Sequence, residues 1–107
     1  MSRVPDDVAD AIQRRSGGVC EAMIPGVCGW QAHHFHHRRM RSQQGGDTVE
    51  NLAVVCAFCH DFIHKNAGFA YEAGLLVRSV RDPAETPMVY RGAGEPVLLR
   101  DVEPTII

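Results

Sequence analysis

Residues 45–64, GGDTVENLAVVCAFCHDFIH, contain the pattern that decides the fold of this chain. After a Gly-Gly turn, the short run NLAVVC is apolar and rich in valine, which predicts a strand. The next segment, AFCHDFIHKNA, has its phenylalanines and its cysteine and histidine pairs at helical spacing, and residues 66–68 predict the end of a helix. The sequence therefore predicts a strand that leads directly into a helix.

The chain has four cysteines, which fall into two pairs. Cys56 and Cys59 form a C-x-x-C pair, while Cys20 and Cys28 form a wider pair on a loop that contains Pro-Gly. Two pairs brought together make a tetrahedral zinc site, although zinc-binding pairs are usually spaced more closely than the first pair is. Free buried thiols and a redox-active C-x-x-C are the alternatives, but metal ligation is the better interpretation for a cytosolic chain. We therefore expect a structural zinc that supplies folding free energy directly.

Two histidines of the predicted helix, His60 and His64, are four residues apart and lie on one face, one turn from each other. A third ligand from a strand packed on that helix would complete a metal site with open positions. HHFHHRR, at residues 33–39, can supply it, because adjacent strand residues point to opposite faces. One histidine can then bind metal while its neighbour accepts a proton, and the arginines can hold phosphate. Such an arrangement predicts phosphodiester hydrolysis.

Composition and charge restrict the function further. The 107 residues, 45% hydrophobic and 22% charged, indicate one soluble domain. A net charge of -2 argues against a globally basic nucleic-acid binder, but residues 33–41 contain Arg38, Arg39 and Arg41 and no acid. The sequence has no recognisable signal peptide and no long apolar run, so we expect a cytoplasmic protein with no membrane partner.

The flanking segments predict an α+β protein. VPDDVADAIQRRSGG, at residues 4–18, has a proline and acids at its start and arginines before Gly-Gly, which predicts a helix. After a helical turn at FAYEAG, the pieces LLVRSV, PMVYR and PVLLRD resemble strands and predict a small C-terminal β-sheet. We expect one domain in three parts: an N-terminal helix (1–18), a core with the zinc site (19–67), and a helical turn with a β extension (68–107).

HHRR, at residues 36–39, together with residues 45–64 resembles the motif of HNH endonucleases, which have a ββα-metal (His-Me finger) core. Five features agree in order: the His-His pair, the Gly-Gly loop, Asn-Leu, Cys-x-x-Cys-His and the final histidine. The flanking cysteine pairs are similar to those of small HNH endonucleases common in phage genomes, often encoded beside packaging genes. The resemblance covers residues 20–64. It implies a metal-dependent endonuclease that nicks DNA with one metal ion and a histidine base, in the host cytoplasm, with the phage terminase large subunit as a partner.

The resemblance also assigns roles to residues by position. His37 would be the general base, and Asn51 would pin the loop and orient His37 through a hydrogen bond. Arg38 is the first candidate for contact with the scissile phosphate, and Arg39 and Arg41 would bind DNA beside it. The remaining roles are metal ligation: a catalytic ion on His36, His60 and His64, and a structural zinc on Cys20, Cys28, Cys56 and Cys59.

Alternatives stay open at this point. His33 and His34 offer a competing register, although HHRR fits the family pattern better. Three imidazoles favour zinc, nickel or manganese, whereas relatives generally use Mg²⁺ or Mn²⁺ and magnesium prefers oxygen ligands. The catalytic ion is therefore Mg²⁺, Mn²⁺, Ni²⁺ or Zn²⁺. Two other functions fit the same residues: a non-catalytic zinc module that binds nucleic acid or protein, and a metal depot at HHFHH.

Overall fold

Two short antiparallel strands, followed by a helix, form the middle of the molecule. Strand β1 (His34–His37) pairs with strand β2 (Leu52–Val55), with His34 opposite Val55 and His37 opposite Leu52. Helix α2 (Ala57–Lys65) follows β2 after one residue. The computed structural model describes residues 4–92 and 94–104, and within them it has the strand and the helix that the sequence predicts around residues 51–66.

The sequence explains why β2 and α2 form where they do. All four residues of β2 are buried, as the uninterrupted apolar run requires. Cys56 ends the strand and begins the helix as its N-cap, because its sulfur accepts a hydrogen bond from the backbone N–H of Cys59. The core residues around Cys59, Ile63 and Ala53 pack on one side of the strand pair, and Leu52 and Val54 pack with Ile12 on the other.

The N-terminal helix is present as α1 (Asp6–Ser16), with acids in its first turn, arginines in its last and a left-handed Gly17 at its end. A buried ion pair holds it to the rest of the molecule. Arg15 donates from Nε and Nη2 to the two carboxylate oxygens of Glu21, at 2.6 and 2.8 Å. Glu21 in turn accepts from the hydroxyl of Tyr90 at 2.7 Å. This network joins the first helix to the C-terminal segment.

The predicted C-terminal sheet is wrong. After helix α3 (Ala67–Glu72), the described residues 73–92 and 94–104 contain short 3-10 turns and one isolated bridge, between Met88 and Val97, but no strand. The apolar pieces instead contribute separate side chains to the core: Leu75 and Leu76 from the first, Met88 from the second and Leu99 from the third. Prolines at 83, 87 and 96 each remove a backbone donor that a sheet would need.

No helix in these described ranges combines the length and the apolar character needed to cross a membrane.

Arg38 connects the C-terminal segment to the strand pair. Its side chain is fully buried, and its guanidinium donates to the carbonyl oxygens of Gly74 (2.8 Å), Glu50 (2.8 Å), Pro83 (3.2 Å) and Thr86 (2.6 Å). Burial, with a smaller contribution from a second arginine, lowers the pKa of Arg38 to about 10, so the group stays charged at neutral pH. The expectation that Arg38 contacts the scissile phosphate is therefore wrong, since its donors are already used inside the protein.

Arg38→Lys should destabilise the protein by about 1–3 kcal/mol, because an ammonium group cannot reach all four carbonyl oxygens from one position. The measurement is urea-induced unfolding at a fixed metal concentration. Arg81→Lys, at an exposed arginine whose described hydrogen bonds are made by its backbone N–H and carbonyl, is the matched control and should stay within about 0.5 kcal/mol of the wild type. Equal stability of the Arg38→Lys and control variants would contradict the structural role of Arg38.

Candidate active site and metal centres

The four cysteines meet at the start of α2. Their sulfur atoms all lie within 4.8 Å of one another, and the sulfurs of Cys28 and Cys56 are 4.0 Å apart. A tetrahedral zinc with Zn–S bonds of about 2.3 Å would hold its sulfurs about 3.8 Å apart. None of the four forms a disulfide. The group therefore has the composition and spacing to hold a metal ion.

Backbone N–H groups surround these sulfurs. Each sulfur accepts at least one such hydrogen bond: Met23 to Cys20, Trp30 to Cys28, Gly29 and Cys59 to Cys56, and Ile24 to Cys59, at 3.2–3.5 Å. Hydrogen bonds of this kind favour the thiolate over the thiol. Burial raises the pKa of the Cys56 thiol, but hydrogen bonds with the N–H groups of Gly29 and Cys59 and with the thiols of Cys59 and Cys20 outweigh it and bring the pKa to about 7. Burial raises the pKa of the Cys28 and Cys59 thiols above the usual value, so their ionisation would depend on the metal. The donor set thus fits a thiolate-bound metal.

A second cluster consists of three histidines. His36 from β1 and His60 and His64 from α2 each offer one ring nitrogen, and these nitrogens lie within 4.8 Å of one another. The Nε2 atoms of His60 and His64 are 3.3 Å apart. The structure therefore brings together the three residues that the sequence predicts as ligands of a catalytic ion.

The hydrogen bond of His36 fixes which of its nitrogens can bind metal. Nε2 lies 2.6 Å from the carbonyl oxygen of Leu75. A carbonyl only accepts, so Nε2 carries the proton and Nδ1 keeps its lone pair. Burial, reinforced by the neighbouring His60 and His64, lowers the pKa of His36 to about 4. The ring is therefore neutral at physiological pH, as a metal ligand must be.

The histidines of the competing register, His33 and His34, lie less favourably for binding metal with His60 and His64 than His36 does. His34 shares a strand face with His36, and its ring stacks on that of His60 with centroids 5.0 Å apart. Both His33 and His34 are exposed, and within the described residues neither belongs to the three-nitrogen group.

His37 has a different set of contacts. Its Nε2 lies 2.8 Å from Oδ1 of Asp47 and 3.2 Å from Nε of Arg41, and Arg41 places Nη2 3.3 Å from the same carboxylate oxygen. His37 also shares a cavity of about 250 Å³ with the three-histidine cluster. Sequence reasoning missed Asp47, because it lies ten residues from His37 in a polar loop and no local spacing pairs the two.

Asn51 is buried and ties the loop that precedes β2. Its Nδ2 donates to the carbonyl oxygens of Arg39 (3.0 Å) and Gly46 (2.9 Å), while its Oδ1 accepts from the N–H of Arg39 (2.7 Å). Its side-chain bonds thus go to the loop, and the described side-chain partners of His37 are Asp47 and Arg41. The expectation that Asn51 orients His37 through its own hydrogen bond is therefore wrong.

Residues 19–66, which contain both clusters and the strand pair, match the family model described as HNH endonuclease. This segment belongs to the HNH family. No curated protein and no solved structure matches the chain. Membership indicates a nuclease, from a family whose members act on DNA and use divalent metals.

The HNH segment leaves two of the predicted DNA-binding arginines near the surface. Arg39 is half-buried and donates to the carbonyl oxygens of Arg81 (2.9 Å) and Gln44 (3.2 Å). The side chain of Arg41 is 42% exposed beside the cavity that contains His37. Contact of either arginine with phosphate stays a prediction.

Gly74→Ala should lower the stability of the protein, although Gly74 lies outside the segment that matches the HNH family. Gly74 has φ 73°, and a Cβ there would clash with the carbonyl oxygen of Pro87. Gly18→Ala is the matched control, because Gly18 has φ 79° but open space around it. We expect the control to cost about 1–2 kcal/mol from backbone strain alone and Gly74→Ala to cost at least about 2 kcal/mol more. Thermal unfolding at fixed metal concentration would measure both, and equal losses would contradict the steric argument.

Proposed function

We propose that this chain is a metal-dependent DNA endonuclease that nicks one strand at a time, with His37 as general base. The observation that carries the proposal is the shared cavity: three histidine nitrogens that can hold one ion lie beside a fourth imidazole that is bonded to a carboxylate. The family of residues 19–66 supports DNA as the substrate class. Strands β1 and β2 with helix α2 would be the ββα-metal core.

The three histidines His36, His60 and His64 would hold the catalytic ion. Bound there, a divalent cation would supply electrostatic stabilisation of the negative charge that develops on the scissile phosphate. The neutral His36, with its Nε2 proton committed to Leu75, has the protonation state that ligation needs. Candidates are Mg²⁺, Mn²⁺, Ni²⁺ and Zn²⁺, and imidazole donors fit the last three better than the first.

His37 would accept a proton from the attacking water. Since Nε2 lies closer to Oδ1 of Asp47 (2.8 Å) than to Nε of Arg41 (3.2 Å), the lone pair that takes this proton would be on Nδ1. Attack in line would leave a 5′-phosphate and a 3′-hydroxyl. Arg39 and Arg41 would bind phosphates next to the scissile bond. One base and one ion act on a single strand, so nicking is the elementary event.

The cysteine cluster would hold a structural zinc. Cys20 and Cys28 lie on the loop after α1, whereas Cys56 and Cys59 belong to the start of α2. One ion on all four would therefore tie this loop to the helix that carries His60 and His64, and would keep the catalytic ligands in register. The donor spacing and the N–H bonds to every sulfur support this assignment.

The resemblance to small phage nucleases extends the proposal to a biological setting. In this setting, the protein would be encoded by a phage and would act with the terminase large subunit during DNA packaging in the cytoplasm of the host. The order of motif features in residues 20–64 supports this setting.

His37→Ala should lower the rate of plasmid nicking by about 10²–10⁴-fold, the usual contribution of a general base. Nicking would be measured with each of the four ions in turn, so that one experiment tests both catalysis and ion choice. His33→Ala is the matched control, since it removes an exposed imidazole from the same HHFHH segment and should leave nicking unchanged. A wild type that binds DNA but cleaves it with none of the ions would favour a non-catalytic zinc module.

Cys56→Ser should abolish cooperative folding, because Cys56 is both a zinc ligand and the N-cap of α2. Structural zinc contributes about 10–16 kcal/mol in zinc-finger peptides, which is as large as the whole stability of a small domain. Metal analysis and circular dichroism on heating are the measurements. Chelation of the wild type should unfold it in the same way, and added zinc should restore it. A Cys56→Ser protein that contains no zinc but melts at the same temperature as the zinc-bound wild type would contradict the assignment.

A further inference from the structure

We propose that Asp47 is a positioning residue for the general base, holding His37 in the tautomer that leaves Nδ1 free to take the proton from water. This inference rests on the proposed function. It assigns a chemical task to a residue of the GGDTVEN loop that lies outside both metal clusters.

The contact between the two side chains determines the tautomer. Oδ1 of Asp47 lies 2.8 Å from Nε2 of His37, and a carboxylate can only accept a hydrogen bond. Nε of Arg41 also lies near Nε2, but at the longer distance of 3.2 Å. The shorter contact, to the carboxylate, therefore assigns the proton to Nε2 and the lone pair to Nδ1. The side chains of His37 and Asp47 are 16% and 27% exposed, so the bond is largely sheltered from water.

Asp47 is itself held in place from two directions. Arg41 donates from Nη2 to the same Oδ1 at 3.3 Å. The residue before Asp47, Gly46, gives its carbonyl oxygen to Nδ2 of Asn51 at 2.9 Å. The hydrogen bond from His37, with help from Arg41, also lowers the pKa of Asp47, so the carboxylate is ionised at neutral pH. Asn51 thus reaches His37 indirectly, through the loop that presents Asp47.

With this tautomer, the proton that leaves the attacking water has an acceptor at Nδ1 of His37. One O–H bond of water breaks and an N–H bond forms at Nδ1, while Nε2 keeps its proton. The water oxygen forms a bond to phosphorus as the bond from phosphorus to the 3′ oxygen breaks. The leaving 3′ oxygen takes a proton from solvent water, and the imidazolium later loses its proton to solvent. The carboxylate stabilises the imidazolium that exists between these events. Arg41, predicted only as a DNA contact, acquires a second task as the group that fixes Asp47.

The first test reads the tautomer directly. ¹⁵N NMR of imidazole-labelled protein, loaded with Zn²⁺, distinguishes a protonated Nε2 from a protonated Nδ1. We expect the wild-type His37 to show a protonated Nε2, and Asp47→Ala to show either a mixture of tautomers or the opposite one. This measurement does not depend on cleavage.

The second test is kinetic. Asp47→Ala and Asp47→Asn should each lower the turnover rate of nicking by about 10- to 1000-fold, at most the full value of the base, with KM for DNA changed less than about threefold. Asp47→Glu should recover at least about tenfold over Asp47→Ala, because the acceptor is restored. Asp61→Asn is the charge-matched control: Asp61 is exposed on α2, and its ion pair is with Lys65. Its turnover should match that of the wild type.

The outcomes separate the two proposals. If the wild type nicks and His37→Ala does not, then unchanged turnover in Asp47→Ala, or an unchanged His37 tautomer in that variant, overturns the positioning role alone. A fall in turnover that follows the melting temperature, without recovery in Asp47→Glu, also overturns it, because loop stability would explain the loss. A wild type that cleaves DNA with none of the four ions overturns the nuclease proposal, and the catalytic meaning of the Asp47 contact with it.

Discussion

The buried guanidinium of Arg38 is the interaction on which the arrangement of the site depends. It follows His37 directly in the chain, and its donors bind carbonyl oxygens from the loop before β2 and from the segment after α3. Its own backbone continues the connection, since its N–H bonds to Asn51 and its carbonyl accepts from Val77. A charge without water must be solvated by protein dipoles, and here those dipoles are backbone carbonyls of these two segments. The end of β1 is thereby fixed.

Because of this arrangement, the C-terminal segment is part of the candidate site. Leu75, which follows the left-handed Gly74, presents its carbonyl oxygen to His36 and so sets the nitrogen that faces the other histidines. Both residues lie beyond the segment that matches the HNH family. The family motif supplies the side chains that could hold metal, but the atom that orients one of them comes from outside it. Loss of a partner of this kind typically costs about 10–100-fold in metal affinity or activity.

Sequence reasoning predicted the strand, the helix and the pairing of His60 with His64 because each depends on local periodicity. The two cysteine pairs were predicted from their ligand type, and His36 was assigned by the resemblance to HNH endonucleases. A four-residue spacing on a helix places His60 and His64 on one face whatever the rest of the chain does. The same reasoning failed for Arg38 and Asp47, where the decisive contacts join residues ten or more positions apart. It also failed for the C-terminal sheet, since short apolar runs can fill a core equally well as irregular chain.

The sequence by itself determined which side chains could hold metal, because ligand type and helical or strand spacing are properties of short segments. Only the tertiary structure decided which arginine is buried, which carboxylate faces His37 and which nitrogen of His36 remains open. The physical reason is that burial and hydrogen-bond direction arise when distant segments pack together. An arginine in HHRR has the same local neighbours whether it faces DNA or the interior, and only the chain that packs over it distinguishes the two.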